Sequence, residues 1–115
     1  MAGIIFLAII FAGFYFYNKP AATNTKYDDF AKCLASKNIT MYGAAGCSHC
    51  QNEKNAFESS FKYVPYVECP DSPQICLDKG VDAYPTWIFP DNKKLVGEQG
   101  LEKLSQESGC PLPLK

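Results

Sequence analysis

The sequence of 115 residues contains no arginine and only one histidine, His49. Without arginine there is no bidentate phosphate fork, and with a formal net charge of −1 there is no basic patch for nucleic acid. With a single imidazole, the sequence gives little support to a histidine-rich metal site or to serine-histidine-aspartate hydrolysis. No internal repeat is present, and 14% aromatic and 20% charged residues are typical of a folded chain rather than a disordered one.

The chain begins with an uncharged, apolar run from Ala2 to Tyr17, which Lys19-Pro20 ends. A helix of these 16 residues rises about 24 Å, less than the roughly 30 Å hydrocarbon core of a bilayer. The aromatic cluster at its end suits a membrane interface, and no lysine precedes the run as a cleaved signal would need. We therefore expect residues 1–18 to be an N-terminal transmembrane anchor helix, with a cleaved signal as the alternative, and residues 19–26 to be a linker.

Two opposing signals bear on the orientation of this anchor. Lys19 and Lys26 follow the apolar run, and that bias alone would keep the folded part in the cytoplasm. Six cysteines in roughly 90 folded residues are instead the usage of an oxidising compartment. Because two lysines are a weak bias, we expect a single-pass membrane protein whose domain faces an extracytoplasmic, periplasmic or lumenal, compartment.

Residues 27–115 have the pattern of a small α/β domain. Helical patterns cover Tyr27 to Leu34, Cys47 to Ser60, Pro73 to Lys79 and Leu101 to Glu107, and β-rich runs cover Ile39 to Tyr42, Tyr63 to Glu68, Thr86 to Phe89 and Lys94 to Gly97. In this order the first two strands are parallel and joined by a right-handed crossover, and the last two form an antiparallel hairpin. The sequence therefore predicts a central mixed four-stranded sheet flanked by helices on both faces.

Cys47-Ser48-His49-Cys50 is the most informative stretch, because it places two thiols at the first turn of a predicted helix. The helix N-terminus favours a thiolate at Cys47, which makes this residue the predicted nucleophile. Cys50, one turn further in, would resolve the mixed disulfide. His49 would donate to the Cys47 thiolate or offset its charge. A structural disulfide and half of a zinc site are the alternative interpretations of a lone CxxC pair.

Tyr84-Pro85-Thr86 precedes the third predicted strand, and its proline has no N–H to donate to a sheet. If the bond between Tyr84 and Pro85 is cis, the bend places backbone groups of Tyr84 beside the CxxC loop. There they can pair with an extended substrate, so Tyr84, Pro85 and Thr86 are the predicted substrate-binding residues. An ordinary trans proline that opens the strand is the alternative, since only about 5% of X-Pro bonds are cis.

These motifs resemble the thioredoxin superfamily, and within it the thioredoxin-like domain associated with bacterial and plant homologues of vitamin K epoxide reductase. The resemblance covers about Asp29 to Ser108 and rests, in order, on Met41-Tyr42-Gly43-Ala44, Cys47-Ser48-His49-Cys50-Gln51, Glu53-Lys54, Phe57, Tyr66-Val67-Glu68-Cys69 and Tyr84-Pro85-Thr86-Trp87. It implies a thioredoxin-like fold, with Cys47 attacking, Cys50 resolving and Pro85 as a cis-proline. It also implies a protein thiol-disulfide oxidoreductase that needs no small-molecule cofactor and exchanges disulfides between secreted proteins and a quinone-linked membrane partner.

The sequence departs from this family in two ways. Gly46 stands where an aromatic residue usually precedes the first active cysteine. The four-helix membrane domain is absent, so a partner resembling vitamin K epoxide reductase is expected to be a separate protein. The chain also resembles thioredoxin-type reductases more distantly, and Met41 occupies the position of their buried carboxylate. This favours the oxidising direction over reduction, because deprotonation of Cys50 is less assisted. Glu53 and Glu68 are candidate substitutes, with a solvated helix face and a strand end as the plainer interpretations.

The other four cysteines fall into two predicted pairs. Cys69 and Cys76 frame a turn-rich loop that can bring their Cα atoms within the roughly 4.4 to 6.8 Å of a disulfide. A structural disulfide is favoured there over a second redox pair, free thiols or metal. Cys33 and Cys110 then remain as the second predicted disulfide, with free or intermolecular thiols as the alternative. A zinc site joining Cys69 and Cys76 to the CxxC pair is disfavoured, because the second pair is not a CxxC knuckle. If the CxxC pair were itself structural, the chain would be a non-catalytic, disulfide-stapled binding module.

Overall fold

A computed structural model of the chain describes residues 25–113. Its elements are α1 Asp28–Ser36, β1 Thr40–Gly43, α2 Ser48–Ala56, a 3-10 helix Glu58–Tyr63, β2 Tyr66–Glu68, α3 Pro73–Asp78, β3 Thr86–Ile88, β4 Lys94–Val96 and α4 Leu101–Ser108. The predicted anchor at residues 1–18, and the predicted linker up to residue 24, lie outside the described residues. Within residues 25–113, no helix is long and apolar enough to cross a membrane.

The four strands form one mixed sheet in the order β2-β1-β3-β4. β1 is parallel to β2 and antiparallel to β3, and β3 is antiparallel to β4. At the centre of the sheet, Met41 lies opposite Tyr66 on one side and Trp87 on the other. The parallel pair and the antiparallel hairpin are those that the order of elements predicts, so the prediction of a mixed four-stranded sheet with flanking helices is confirmed.

Alternation along the strands divides the core into two clusters, because neighbouring side chains of a strand point to opposite faces of the sheet. Met41 and Trp87 belong to the larger cluster, in which α1, α2 and α4 contribute buried residues that include Phe30, Leu34, Cys50 and Leu104. The smaller cluster holds the neighbouring strand residues together with the loop and helix around α3, namely Tyr42, Ile88, Cys69, Cys76 and Val81. The helix that carries the CxxC pair therefore packs on the larger core.

The helix predicted from Cys47 to Ser60 is interrupted in the structure. α2 ends at Ala56, and Glu58 has a φ of 57°, in the left-handed region where an α-helix of L-residues does not continue. The chain then proceeds as the 3-10 helix and brings Phe61 edge-on to Phe57, with ring centroids 5.6 Å apart. The break therefore lets Phe57, which lies between the two helices, pack against Phe61 of the 3-10 helix.

Two disulfides close loops of very different length. Cys33 is bonded to Cys110 across 77 residues, and Cys69 is bonded to Cys76 across 7 residues. The long-range disulfide ties α1 to the segment after α4. The short-range disulfide closes the connection between β2 and α3.

Removing the Cys33–Cys110 disulfide is expected to destabilise the domain more than removing the Cys69–Cys76 disulfide. A cross-link stabilises mainly by restricting the unfolded chain, and the restriction grows with the logarithm of loop length. The expected losses are about 4.5 kcal/mol for the long loop and about 2.5 kcal/mol for the short one. Urea unfolding of the two double alanine variants under non-reducing conditions measures the difference. Equal losses in both variants would contradict this ranking.

Candidate active site

The two CxxC thiols lie at the junction between β1 and α2. Cys47 is the N-cap residue of α2 and has an extended backbone. Its Sγ accepts a hydrogen bond from the backbone N–H of Cys50 at 3.2 Å. This sulfur therefore receives an N–H that the first turn of the helix leaves without a partner, at the positive end of the helix dipole. Both features stabilise negative charge on sulfur, as a nucleophilic cysteine requires.

Cys47 and Cys50 differ in how far solvent can reach them. Cys47 is partly exposed, whereas Cys50 is fully buried, and both are free thiols. Burial raises the pKa of the Cys50 thiol to about 11, and its hydrogen bond with Cys47 adds to this effect. The arrangement gives one sulfur that a substrate can reach and one that only its neighbour can reach.

Gly43, the last residue of β1, provides the space in which Cys50 lies against the sheet. A Cβ at this position would be 2.9 Å from the Cys50 Sγ and 3.3 Å from the Cε2 of Tyr66. A carbon atom at the first of these distances would displace the sulfur. The lack of a side chain at Gly43 therefore lets both the buried thiol and the Tyr66 ring approach the backbone of β1.

The Tyr84-Pro85-Thr86 segment lies beside Cys47. The bond between Tyr84 and Pro85 is cis, and the Cys47 thiol donates to the carbonyl oxygen of Tyr84 at 3.6 Å. Tyr84 is 40% exposed, whereas Pro85 and Thr86 are buried. The Thr86 hydroxyl donates to the carbonyl of Ala83 at 2.7 Å. Of the three residues predicted to bind substrate, Tyr84 is the one that presents a side chain to solvent next to Cys47.

His49 is paired with a carboxylate from a distant loop. Its Nδ1 lies 3.0 Å from the Oε1 of Glu98, and Asn52 donates to the same oxygen at 3.2 Å. These two hydrogen bonds, that of His49 first, lower the pKa of the Glu98 carboxyl. Among the residues that the structure describes, Glu98 rather than Cys47 is the hydrogen-bond partner of His49. The sequence does not identify Glu98 as the partner of His49, because no local pattern links it to the CxxC pair.

Glu53 is fully buried, so its interpretation as part of a solvated helix face is wrong. Its Oε2 accepts from the indole N–H of Trp87 at 3.0 Å and from the backbone N–H of Gln99 at 2.7 Å. Its Oε1 accepts from the backbone N–H of Gly100 at 2.8 Å. One carboxylate thus joins the CxxC helix to β3 and to the loop before α4.

Glu68 lies at the end of β2 and accepts hydrogen bonds on both of its oxygens. The Tyr66 hydroxyl donates to Oε1, and the Ala45 backbone N–H donates to Oε2 at 2.8 Å. The bond from Tyr66, and after it the bond from Ala45, lowers the pKa of the Glu68 carboxyl. Burial, assisted by Glu68, raises the pKa of Tyr66. Because Ala45 lies in the loop that leads to Cys47, Glu68 holds this loop against the parallel strand pair.

The zinc interpretation finds no counterpart in the described part of the chain. No group of three or more His, Cys, Asp or Glu side chains within residues 25–113 is arranged to hold a metal ion. Cys69 and Cys76 are joined to each other, whereas Cys47 and Cys50 are free. The four thiols therefore do not converge on one site.

Fold and site together define a small α/β domain with one reachable and one buried thiol at the start of a helix. No protein-family model matches the chain. The chain is 36% identical over 108 residues to the thiol-disulfide oxidoreductase LTO1 of Arabidopsis thaliana, and the match covers 85% of this chain but only 28% of the plant protein. The first thioredoxin domain of mouse protein disulfide-isomerase A4 is a similar solved structure, with 14% identity, a TM-score of 0.47 and coverage of 76% of this chain and 71% of that domain.

Proposed function

We propose that this chain is a protein thiol-disulfide oxidoreductase with a thioredoxin-like fold, in which Cys47 attacks and Cys50 resolves. The observation that carries the proposal is the contrast between the partly exposed Cys47 at the N-terminus of α2 and the fully buried Cys50. The similarity to a plant protein of this activity over 85% of the chain supports it.

The reaction in the oxidising direction begins with the Cys47–Cys50 disulfide. A substrate thiolate attacks the Cys47 Sγ, the bond between the two cysteines breaks, and Cys50 leaves with the electron pair and takes up a proton. A second substrate thiolate then attacks the sulfur of the first, and Cys47 leaves as a thiolate, so two electrons pass from substrate to domain. The N–H of Cys50 and the start of α2 stabilise this departing Cys47 sulfur. The Tyr84 carbonyl beside it is an acceptor for the backbone of an extended substrate.

The proposed direction is oxidising, and the proposed substrates are secreted or periplasmic proteins. Met41 supports the direction, because this fully buried side chain is apolar where a carboxylate would assist deprotonation of Cys50. Its Cε and the Cys50 Sγ both lie within 3.5 Å of the position that a Cβ of Gly43 would occupy. The two disulfides within residues 25–113 support an oxidising compartment, because cytosolic thiols are kept reduced.

Re-oxidation of the CxxC pair is assigned in this proposal to a quinone-linked membrane partner similar to the homologues of vitamin K epoxide reductase. Residues 1–18 would anchor the domain in the same membrane, with the domain on the extracytoplasmic side. The apolar run from Ala2 to Tyr17 supports the anchor, and the resemblance of the motifs around Cys47 supports the partner.

The equilibrium reduction potential of the CxxC pair tests the activity and its direction together. The full chain is equilibrated in glutathione buffers, its thiols are alkylated, and the reduced fraction is counted by mass. A disulfide donor is expected above about −200 mV, and a value near about −270 mV would instead mean a thioredoxin-like reductase. A variant in which Cys47 and Cys50 are both alanine gives the background from the other two disulfides. A potential below about −300 mV, with no reactive thiol after mild reduction, would overturn the proposal in favour of a structural disulfide.

A further inference from the structure

We propose that Lys54 is a positioning residue for the resolving step, in which its ammonium group, held over the Tyr66 ring, stabilises the Cys50 thiolate. The inference deepens the proposed function and rests on it. The Cys50 thiolate is the leaving group when a substrate thiolate opens the CxxC disulfide, and it is the attacking group when the same step runs in reverse, which is the resolving step. The inference assigns a role to a cationic side chain one helical turn after the CxxC pair.

In the resolving step Cys50 must attack as a thiolate, although its burial favours the neutral thiol. In the mixed disulfide, Cys47 is bonded to the substrate sulfur, and Cys50 must lose its proton to solvent before it can attack. Cys50 Sγ then bonds to Cys47 Sγ, the bond from Cys47 to the substrate breaks, and the substrate sulfur leaves with the electron pair. Cys50 is fully buried and its thiol pKa is raised to about 11, so little thiolate forms at neutral pH without assistance.

Lys54 is fixed near this sulfur by an aromatic platform. It follows Cys50 by four residues on α2, and side chains at that spacing share a face of a helix. Its Nζ lies 4.0 Å from the centroid of the Tyr66 ring and 5.8 Å from that of the Phe61 ring, within the range at which a ring attracts a cation. The Tyr66 ring and the Cys50 sulfur both lie close to Gly43. The platform therefore holds the partly exposed ammonium group over a ring that lies, like the buried thiol, close to Gly43.

The other titratable groups that face Cys50 do not supply this assistance. Burial and the proximity of Cys47 raise the Cys50 pKa, whereas the backbone hydrogen bond of Ala44 and, after it, the positive charge of Lys54 lower it. Cys47 carries no charge once it is bonded to substrate. In the mixed disulfide it therefore no longer raises the Cys50 pKa through its charge. Tyr66 is a neutral phenol whose pKa is raised, and Glu68 is held by the hydrogen bonds from Tyr66 and Ala45, with a smaller attraction to Lys54.

The other two polar side chains of α2 that bear on this argument, Glu53 and His49, have partners away from Cys50. Glu53 directs both oxygens to Trp87 and to the loop before α4. His49 pairs with Glu98 on the exposed side of the helix. Lys54 is therefore the charge on this helix that the geometry couples to the buried sulfur.

The test separates the two chemical steps with dithionitrobenzoate and the reduced full chain. Attack by Cys47 releases one coloured thiolate, and resolution by Cys50 releases a second. In Lys54→Met the second phase is expected to be about three- to tenfold slower at pH 7, the equivalent of roughly half to one unit in the Cys50 pKa. Loss of a nearby positive charge makes the thiolate less favourable, so the pH profile of the second phase moves to higher pH by the same amount. The first phase keeps its rate.

Two variants distinguish an effect of charge from an effect of packing. Lys54→Arg keeps a cation over the ring and is expected to restore the second phase. Lys62→Met is the matched control, since Lys62 also lies over a tyrosine ring, 5.2 Å from the centroid of Tyr63, but on the 3-10 helix.

If Lys54→Met does not fold, Lys54→Gln replaces it. A second phase with unchanged rate and pH profile overturns the inference. A wild-type chain that never releases the second coloured thiolate overturns the proposed function instead.

Discussion

Cys47→Ser is expected to abolish thiol-disulfide exchange, whereas Cys50→Ala is expected to stop the reaction at the mixed disulfide. Cys47 is the thiol that solvent reaches, and a serine hydroxyl in its place is not ionised at neutral pH. In Cys50→Ala the attacking sulfur remains, but no second thiol can displace the substrate. Mass spectrometry under non-reducing conditions, after mixing each reduced variant with a disulfide-bonded protein, is expected to show no adduct for Cys47→Ser and a stable one for Cys50→Ala.

Ser48→Ala is the matched control, because Ser48 is an exposed residue between the two cysteines. It is expected to complete the reaction without accumulating an adduct. Adduct formation by Cys47→Ser at the wild-type rate would mean that another cysteine attacks. Complete turnover by Cys50→Ala would mean that resolution does not need the buried thiol. Either result would contradict the roles assigned here.

Glu53→Gln is expected to lower the free energy of unfolding by about 2 to 4 kcal/mol, since charge-assisted hydrogen bonds are lost and a buried donor loses its partner. The carboxylate accepts from three N–H donors, two on Oε2 and one on Oε1. A glutamine amide has one accepting oxygen, so either orientation turns its NH₂ group toward another donor. For a domain of this size the melting temperature is expected to fall by roughly 8 °C or more.

Glu102→Gln is the control for this substitution, because Glu102 is exposed on the first turn of α4. Surface changes of this kind usually stay within about 0.5 kcal/mol. Urea unfolding of both variants and the wild-type chain measures the difference. Equal midpoints for the two variants would show that the buried carboxylate contributes nothing specific to stability.

The elements that the sequence predicts well are those whose pattern is local. In α1 the spacing of Phe30, Ala31 and Leu34 predicts one buried face, and all three side chains are buried. The break after α2 has no such signal, because Glu58, which adopts a positive φ there, is not a residue type that favours this conformation. The second strand begins at Tyr66 rather than at the predicted Tyr63, and Tyr63 is instead the last residue of the 3-10 helix.

The same distinction between local patterns and long-range contacts applies to the candidate active site. The CxxC pair and Tyr84-Pro85 can be recognised because each is a contiguous motif. The setting of Glu53 cannot be read from its neighbours in the sequence, because its backbone donors Gln99 and Gly100 are 46 and 47 residues away. An acidic residue on a helix is usually solvated, and only the tertiary structure shows that this one is enclosed.

The Cys33–Cys110 disulfide also determines how the domain carries mechanical load. It joins positions 77 residues apart whose Cα atoms are 5.9 Å from each other. A pull applied before Cys33 and after Cys110 therefore passes through one covalent bond and bypasses the loop that contains the sheet and the CxxC helix. A chain tethered at one end and pulled at the other would lengthen by fraying α1 and the final segment, while the active site stays free of tension.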